Sequence, residues 1–425
     1  MRDFLPEDLA KRRHIEGKVR ECFRLYGYEE IETPVVESFD LLTAKAGEEI
    51  RHRLYAFEDL GGRKVALRPE MTASVARLLA GKLRSATKPL RLGYVANCFR
   101  YDNPQMGRHR EFWQAGFELF GSAQPEADAE IIIMFHDLMR RLGFHDFTVK
   151  VGSVGILRGL LDSEKVGARE QDAVMGFLDK GDVEKALAFL SERRISGGCE
   201  EAVRRLVALK GTDWARVIAE GRTVLEGNEK ALNALRNLSE IVELFMAGGV
   251  TAAVSVDLGF ARGLEYYTGM IFEVFVPSLG IALGGGGRYD GLVELFGGDP
   301  TPAVGCSPGI DRIVLGMEKE GLFDGKLATS TRVLVVPVGE GLRGRALAVA
   351  SLLRGGGVSA QVEVSGRSLG AALSYAGGRG FSFAVIVGSK EAEKGVVTVR
   401  DLRTKVQREV PIAGVADELR RELKV

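Results

Sequence analysis

The chain has 425 residues, 58 Lys and Arg against 58 Asp and Glu, 54 Gly and 4 Cys. At about 150 residues per domain the length allows roughly three domains, and 45% apolar with 27% charged residues excludes a disordered or collagen-like chain. Zero net charge excludes a protein that grips nucleic acid or anionic membrane by bulk charge alone, though not one with a local basic face.

The opening MRDFLPEDLAKRRH turns charged at once and lacks the apolar stretch of a secretory signal. Leu9, Ile15, Val19, Phe23 and Tyr26 recur at helical spacing and predict an amphipathic helix over 7–26, with the Lys11–His14 run as its solvated face. Strands are expected at Leu54–Glu58, Val65–Arg68, Leu92–Asp102 and Glu111–Phe120, the last two flanking a hairpin with the basic tip NPQMGRHR. A helix follows at Glu126–Leu142. Residues 161–248, rich in Ala, Leu, Glu, Lys and Arg, read as a mainly helical insertion. Strand patterns return at Ala252–Leu258, Tyr266–Val276 and Gly280–Leu283, then a helix at Gly309–Glu318. Residues 321–330 are expected to be a linker. Beyond it, VLVVPV, SAQVEV, FAVIVG and VVTVRDL alternate with helices near Arg343–Arg354 and Leu369–Gly378, which predicts an α/β domain over 331–425.

The longest apolar runs, Ile131–Phe135 and Val333–Val338, fall far short of the ~18 residues that span a bilayer. Cys22, Cys98, Cys199 and Cys306 form no CxxC and no Cys/His cluster, so a cytoplasmic, reducing setting and no protein-held metal are expected.

Five stretches carry candidate chemistry. In CFRYDNPQMGRHREFWQAGFELFG, strand alternation puts Arg100 and Asp102 on one face, with Phe99 and Tyr101 opposite. On the return strand Gln114 and Glu118 share a face, opposite Trp113, Ala115, Phe117 and Leu119. A sheet with one wet face would look similar. This face, however, lacks Lys and carries a cation, carboxylates and an amide, as a polar small-molecule pocket does; Arg108 and Arg110 add forked guanidiniums suited to phosphate. In LRPEMTASVAR, Arg68, Glu70 and Thr72 alternate: Glu70 could receive an ammonium group, or Thr72 could simply cap a helix. In ARGLEYYTGMIFEVF, Arg262 and Tyr267 have opposite parity, so Arg262 must lie in a turn, which Gly259 and Gly263 permit. The four glycines of ALGGGGRYDGL suit a strand only where another backbone or a ligand comes close. In AVGCSPGIDRIVLGME, Arg312 sits near the start of a helix after a Gly-Pro-rich turn, where a buried ion pair with a carboxylate would account for it as well as a functional role. Gly339, Gly341 and Gly344 with Glu363 match the form of a dinucleotide fingerprint. Glu340 inside the turn would repel a pyrophosphate, and the domain is too short for the two-half fold.

Together these residues resemble the class II aminoacyl-tRNA synthetases, in their histidyl branch. RDFLPEDLAKRR and YGYEEIETPVVE resemble the family's N-terminus and motif 1, with Pro34 at the dimer-forming turn. FRYDNPQMGRHREFWQ resembles motif 2 and AVGCSPGIDRIVLGME motif 3; RGLEYYTG, LGGGGRYDGL and RPEMT resemble stretches specific to the histidyl branch. The resemblance implies an α+β fold: a class II antiparallel sheet with flanking helices over 1–160 and 249–320, a helical insertion over 161–248, and a C-terminal α/β anticodon-binding domain over 331–425. It implies ATP-dependent attachment of L-histidine to the 3′ end of tRNA(His) through a histidyl-adenylate, with Mg²⁺ accompanying ATP and a homodimer as the working form. Arg100 and Arg262 would be catalytic. Glu70, Thr72, Arg100, Gln114, Glu118, Arg262, Tyr266 and Tyr267 would bind histidine. Arg100, Asp102, Arg108 and Arg312 would bind ATP, with Asp102 standing where the family has Glu. The alternative is the histidine-binding regulatory subunit of ATP phosphoribosyltransferase, a synthetase-like paralogue. In that group the Arg262 position, motif 3 and the anticodon domain are typically degraded or missing, whereas this chain keeps them.

Overall fold

The computed structural model describes residues 1–44, 50–103, 107–262, 265–323 and 332–423. Gly263, the centre of the hairpin tip and most of the expected linker lie outside the described residues. The chain divides into two compact units, 1–327 and 328–425.

In chain order the strands of the first unit are β1 (Glu29–Glu30), β2 (Val36–Ser38), β3 (Ala56–Glu58), β4 (Lys64–Leu67), β5 (Leu90–Phe99), β6 (Glu111–Phe120), β7 (Thr148–Ser153), β8 (Lys210–Gly211), β9 (Ala253–Asp257), β10 (Met270–Phe275), β11 (Ala282–Arg288) and β12 (Ala303–Pro308). Among the described residues they form a nine-stranded sheet, β1-β5-β6-β12-β11-β10-β7-β9-β8, and a small sheet, β2-β4-β3. The run from β5 to β7 is antiparallel throughout.

Register decides which side chains meet. Gly305 pairs with Glu118, Gly287 with Gly305, and Gly285 with both Glu273 and Ser307. One face of the sheet therefore presents Gln114, Glu118, Glu273 and a strip of glycines. The other presents Ala115, Phe117, Phe272, Val274 and Val304 to the helices Pro6–Tyr26 and Pro125–Arg141. There Phe23 meets Phe117 edge-on at 5.3 Å, worth about 0.5–1.5 kcal/mol beyond the area buried. The glycine-bearing face is covered from Val75 and Leu79 of the Thr72–Ala80 helix and from Tyr289 and Leu292.

Several expectations shift in the folded chain. The strand expected to reach Asp102 ends at Phe99, because Tyr101 N–H turns to the Arg53 carbonyl instead of continuing the ladder. The strand expected from Tyr266 begins at Met270, which leaves both tyrosines in the preceding loop. The strand expected to stop at Leu283 runs through all four glycines. Thr72 is the first helical residue rather than the cap, which is Met71. Arg12, read as solvated, is buried. Arg68 does not join Glu70 and Thr72; it is buried, donating to the carbonyls of Thr33, Pro34 and Asn97 and to Asn97 Oδ1.

Between β7 and β9 the chain forms helices at Val154–Ser163, Ala168–Asp179, Val183–Glu192, Gly197–Ala208, Trp214–Val224 and Glu229–Ala247. The same segment supplies β8, which patterning did not reveal and which pairs with β9. Its Val174, Leu187, Leu206 and Leu235 belong to the apolar core that contains Phe117.

The second unit has β13 (Val333–Val338), β14 (Ala360–Val362), β15 (Phe383–Gly388), β16 (Val396–Asp401) and β17 (Gln407–Pro411) in the order β14-β13-β15-β16-β17, parallel in the first three and antiparallel after. Gly339 and Gly341 have φ of +120° and +80°, so this turn requires glycine for its backbone. Glu363 is occupied by Ser365 N–H and the Arg367 guanidinium, which accounts for it without a ribose.

Candidate active site

The glycine-bearing face of the large sheet opens into a cavity of about 360 Å³. Every residue expected to bind histidine or ATP lines it except Glu118, which lies directly beneath. The residue just after β5, Arg100, and Gln114 of β6 come from the hairpin. The loop before β10 brings Arg262, Tyr266 and Tyr267, and the helix Ile310–Lys319 brings Arg312. The glycines make room for these groups. A Cβ on Gly285 would sit 2.8 Å from Arg262 Nη1, and one on Gly287 would sit 2.9 Å from Tyr267 Cε1.

The cations are poorly neutralised. Arg312 donates Nη1 to the Ala282 carbonyl at 2.8 Å and Nε to the Gly107 carbonyl at 3.3 Å, and it has no carboxylate partner among the described residues. Burial, then the neighbouring Arg108 and Arg100, push its guanidinium below the usual range. The buried ion pair that would have explained Arg312 structurally is not what the fold contains. Arg100 donates Nε to the Pro69 carbonyl at 2.9 Å and lies over the Phe112 ring. Arg262 approaches Glu273 at 3.5 Å, and its Nη1 has no hydrogen-bond partner among the described residues.

Two of the carboxylates, Glu70 and Glu118, are held by hydroxyls. Glu70 accepts from Tyr266 O–H at 2.9 Å, and its burial raises the carboxyl pKa. Glu118 Oε1 accepts from Thr72 at 3.0 Å and from Tyr94 at 3.3 Å; Oε2 accepts from Tyr289. Burial raises Glu118 from 4.5 to about 8 despite these three hydroxyls, with Glu70 adding to the effect. Tyr267, over whose ring Arg262 lies, is pushed up to about 12 by burial and so remains a donor. Gln114 Oε1 accepts from Cys98 at 3.3 Å. Asp102 pairs with Arg53 at 2.9 Å.

The cavity also contains residues that sequence reasoning passed over: Phe112, Asp179, Glu273, Tyr289 and Asp311. Tyr289 and Glu273 lay inside quoted motifs, one place beyond the glycine–arginine run and three places into β10. Their facing becomes evident only with the register. Asp179 ends an insertion helix and carried no local signal at all. No group of three His, Cys, Asp or Glu side chains among the described residues is placed to hold a metal ion.

Comparisons with known proteins cover nearly the whole chain. A family model described as histidyl-tRNA synthetase matches residues 1–313, and one described as anticodon binding domain matches 332–422. A histidine–tRNA ligase of Pyrococcus abyssi is 44% identical over 427 aligned residues, spanning 99% of this chain and 97% of the relative. The histidyl-tRNA synthetase structure from Nostoc superposes with a TM-score of 0.80 at 25% identity, over 99% of this chain and 97% of that one. A Bacillus halodurans structure, titled as an ATP phosphoribosyltransferase regulatory subunit/histidyl-tRNA synthetase, gives 0.77 at 28% identity over 92% and 97%.

Proposed function

The chain belongs to the histidyl-tRNA synthetase family, and from that premise we propose how its cavity divides the work of attaching histidine to tRNA. Histidine and ATP react to give histidyl-adenylate and pyrophosphate, and the histidyl group then passes to the 3′ end of tRNA(His) with release of AMP. The α-amino group is held by Glu70, Thr72 and Gln114. The imidazole lies between Tyr267, which donates to one ring nitrogen, and Glu118, which takes the other in place of one of its present hydroxyls. Tyr266 keeps Glu70 in place. A site that satisfies two ring nitrogens rejects side chains lacking them, because its own buried polar groups would be left unpaired.

Arg100 bridges the histidine carboxylate and the α-phosphate. Arg108 and Arg312 hold the outer phosphates, and Asp102 takes the adenine amino group. Arg262 stabilises charge on the α-phosphate as it becomes pentacoordinate; no covalent bond to the protein forms, and catalysis is orientation and electrostatics. Mg²⁺ accompanying ATP would supply neutralising charge at the phosphates and would rest mainly on phosphate oxygens, with Arg108 and Arg312 supplying the protein's share of positive charge. The observation that carries this reading is the convergence of Arg100, Arg108, Arg262 and Arg312 on one cavity, with Arg312 bonded only to carbonyls among the described residues.

The second unit reads the anticodon stem. Residues 331–425 contain 15 Lys and Arg against 9 Asp and Glu, leaving 43 against 49 in the rest, so the basic excess falls where a polyanion would be met. A homodimer forms through the small-sheet region, where Val36 and Phe57 stand 43% and 46% exposed and Leu60 is fully exposed. The enzyme works in the cytoplasm; no described helix is long and apolar enough to cross a membrane.

The test is histidine-dependent ATP–pyrophosphate exchange followed by acylation of tRNA(His). Exchange at background while histidine still binds would favour the regulatory paralogue instead.

A further inference from the structure

One feature of the catalytic unit lies outside the motifs. Residues 1–5 run alongside the cavity and are tied to it by a short chain of contacts. The Arg2 guanidinium pairs with Asp311, whose side chain is 8% exposed. The same Asp311 accepts the backbone N–H of Trp113 at 2.6 Å. Arg2 lies 4.6 Å from the Phe4 ring centroid, and Arg12 is held between Phe4 at 4.6 Å and Trp113 at 4.2 Å. This sandwich explains the burial of Arg12. A second cavity, about 330 Å³, lies under the segment and shares Gly107, His109 and Asp311 with the first.

We propose that Arg2 is a positioning residue for ATP: by completing the partners of Asp311 it sets where the helix Ile310–Lys319 begins, and so where Arg312 holds its guanidinium. Two observations give the direction of the effect. β6 is held along its whole length by β5, so the Trp113 end of the link is fixed. Asp311 and Arg312 sit in the first turn of their helix and are the movable end. Among the described residues Arg312 has only the Ala282 and Gly107 carbonyls to aim it, and Gly107 borders the hairpin tip. Without Arg2, Asp311 is a nearly buried carboxylate left with one neutral donor and the nearby charge of Arg12, and a shift of the helix start toward water relieves it. The histidine-binding groups Glu70, Thr72 and Glu118 hang on other elements and make none of these contacts.

The inference rests on the assignment of Arg312 to the phosphates, and the experiment separates the two. Pyrophosphate exchange by the full chain is measured with ATP varied at saturating histidine and with histidine varied at saturating ATP, for Arg2→Gln, Arg2→Lys and Arg312→Gln. Arg2→Gln should raise KM for ATP about two- to fivefold, the range for one partly exposed ion pair. Its KM for histidine should stay unchanged, and kcat should move less than KM. Arg2→Lys should recover most of the loss, since the charge returns. An unchanged KM for ATP in Arg2→Gln, or an equal rise in both KM values, overturns the proposal. If Arg312→Gln leaves KM for ATP unchanged, the assignment of Arg312 fails whatever Arg2 does.

Discussion

Arg262 and Glu118 show how far burial alone shapes single residues here. Arg262 lines the cavity with one guanidinium nitrogen 3.5 Å from Glu273. On the proposed reading this cation meets charge that appears only as the α-phosphate is attacked. Arg262→Ala should therefore slow adenylation by about 10²–10³, or ~2.7–4 kcal/mol, the cost of losing one preorganised donor. Histidine affinity should change far less; exchange kinetics with a parallel binding titration will tell, and unchanged turnover removes Arg262 from the mechanism. Glu118 gives two expectations. Glu118→Gln should weaken histidine by about 0.5–1.5 kcal/mol, the worth of one hydrogen bond to an uncharged group, with ATP affinity little altered; equal loss of both would mean a damaged fold. Its folded pKa, about 8, lies above the 4.5 of a free carboxyl. The folded form thus binds the extra proton, and stability must fall as pH rises from about 4.5 to 8, by up to ~1.4 kcal/mol per unit. Melting temperatures of the free enzyme across that window should slope downward, and Glu118→Gln should flatten the slope.

At the scale of elements, the catalytic face depends on strands that omit side chains. Gly305 pairs with Glu118, and a Cβ there would overlap the Glu118 carboxylate and lie 2.7 Å from the Phe117 carbonyl. Gly305→Ala should cost about 1–3 kcal/mol of stability, as overpacking does. It should also weaken histidine more than ATP, because Glu118 must yield; a denaturant midpoint and the two KM values check both halves. A variant with wild-type stability and histidine affinity would show that β12 has room to spare. The glycine run in β11 obeys the same steric rule, which is why a segment of poor strand propensity lies at the centre of the sheet: its neighbours β10 and β12 supply the ladder on both sides. Propensity could not show this, since it carries no record of what packs opposite. Alternation did show the facing of Gln114 and Glu118, because a strand's two-residue period is a local property. It failed at Tyr101, which is 56% exposed, where a non-local partner at Arg53 ends the period.

For the molecule as a whole, chemistry and the basic charge excess fall in different units. The cavity is lined entirely from residues 1–327, whereas the excess of Lys and Arg falls after Thr331, in a unit with its own apolar core around Val335, Val385 and Val399. The first unit alone should keep histidine-dependent pyrophosphate exchange within about tenfold of the full chain while losing most tRNA charging. Raising salt from about 50 to about 200 mM should weaken tRNA binding by the full chain steeply, and exchange much less, because counterion release acts on the polyanion alone. A truncated chain that charges tRNA normally would show the second unit to be dispensable for recognition.

What the amino-acid order determined by itself was local and periodic. It covered the first helix, the two faces of β6, the alternation of the second unit, and motif residues specific enough to imply the family. These follow from spacing along one chain, and spacing is covalent. Only the tertiary structure decided which of those residues lie in the cavity and which beneath it, and that Asp179 of an insertion helix joins them. It also decided that Arg312 faces carbonyls rather than a carboxylate, and that Arg12 of a nominally solvated run is buried beside Phe4. Each of these depends on what a distant segment brings into the same few ångströms, and on the water it excludes.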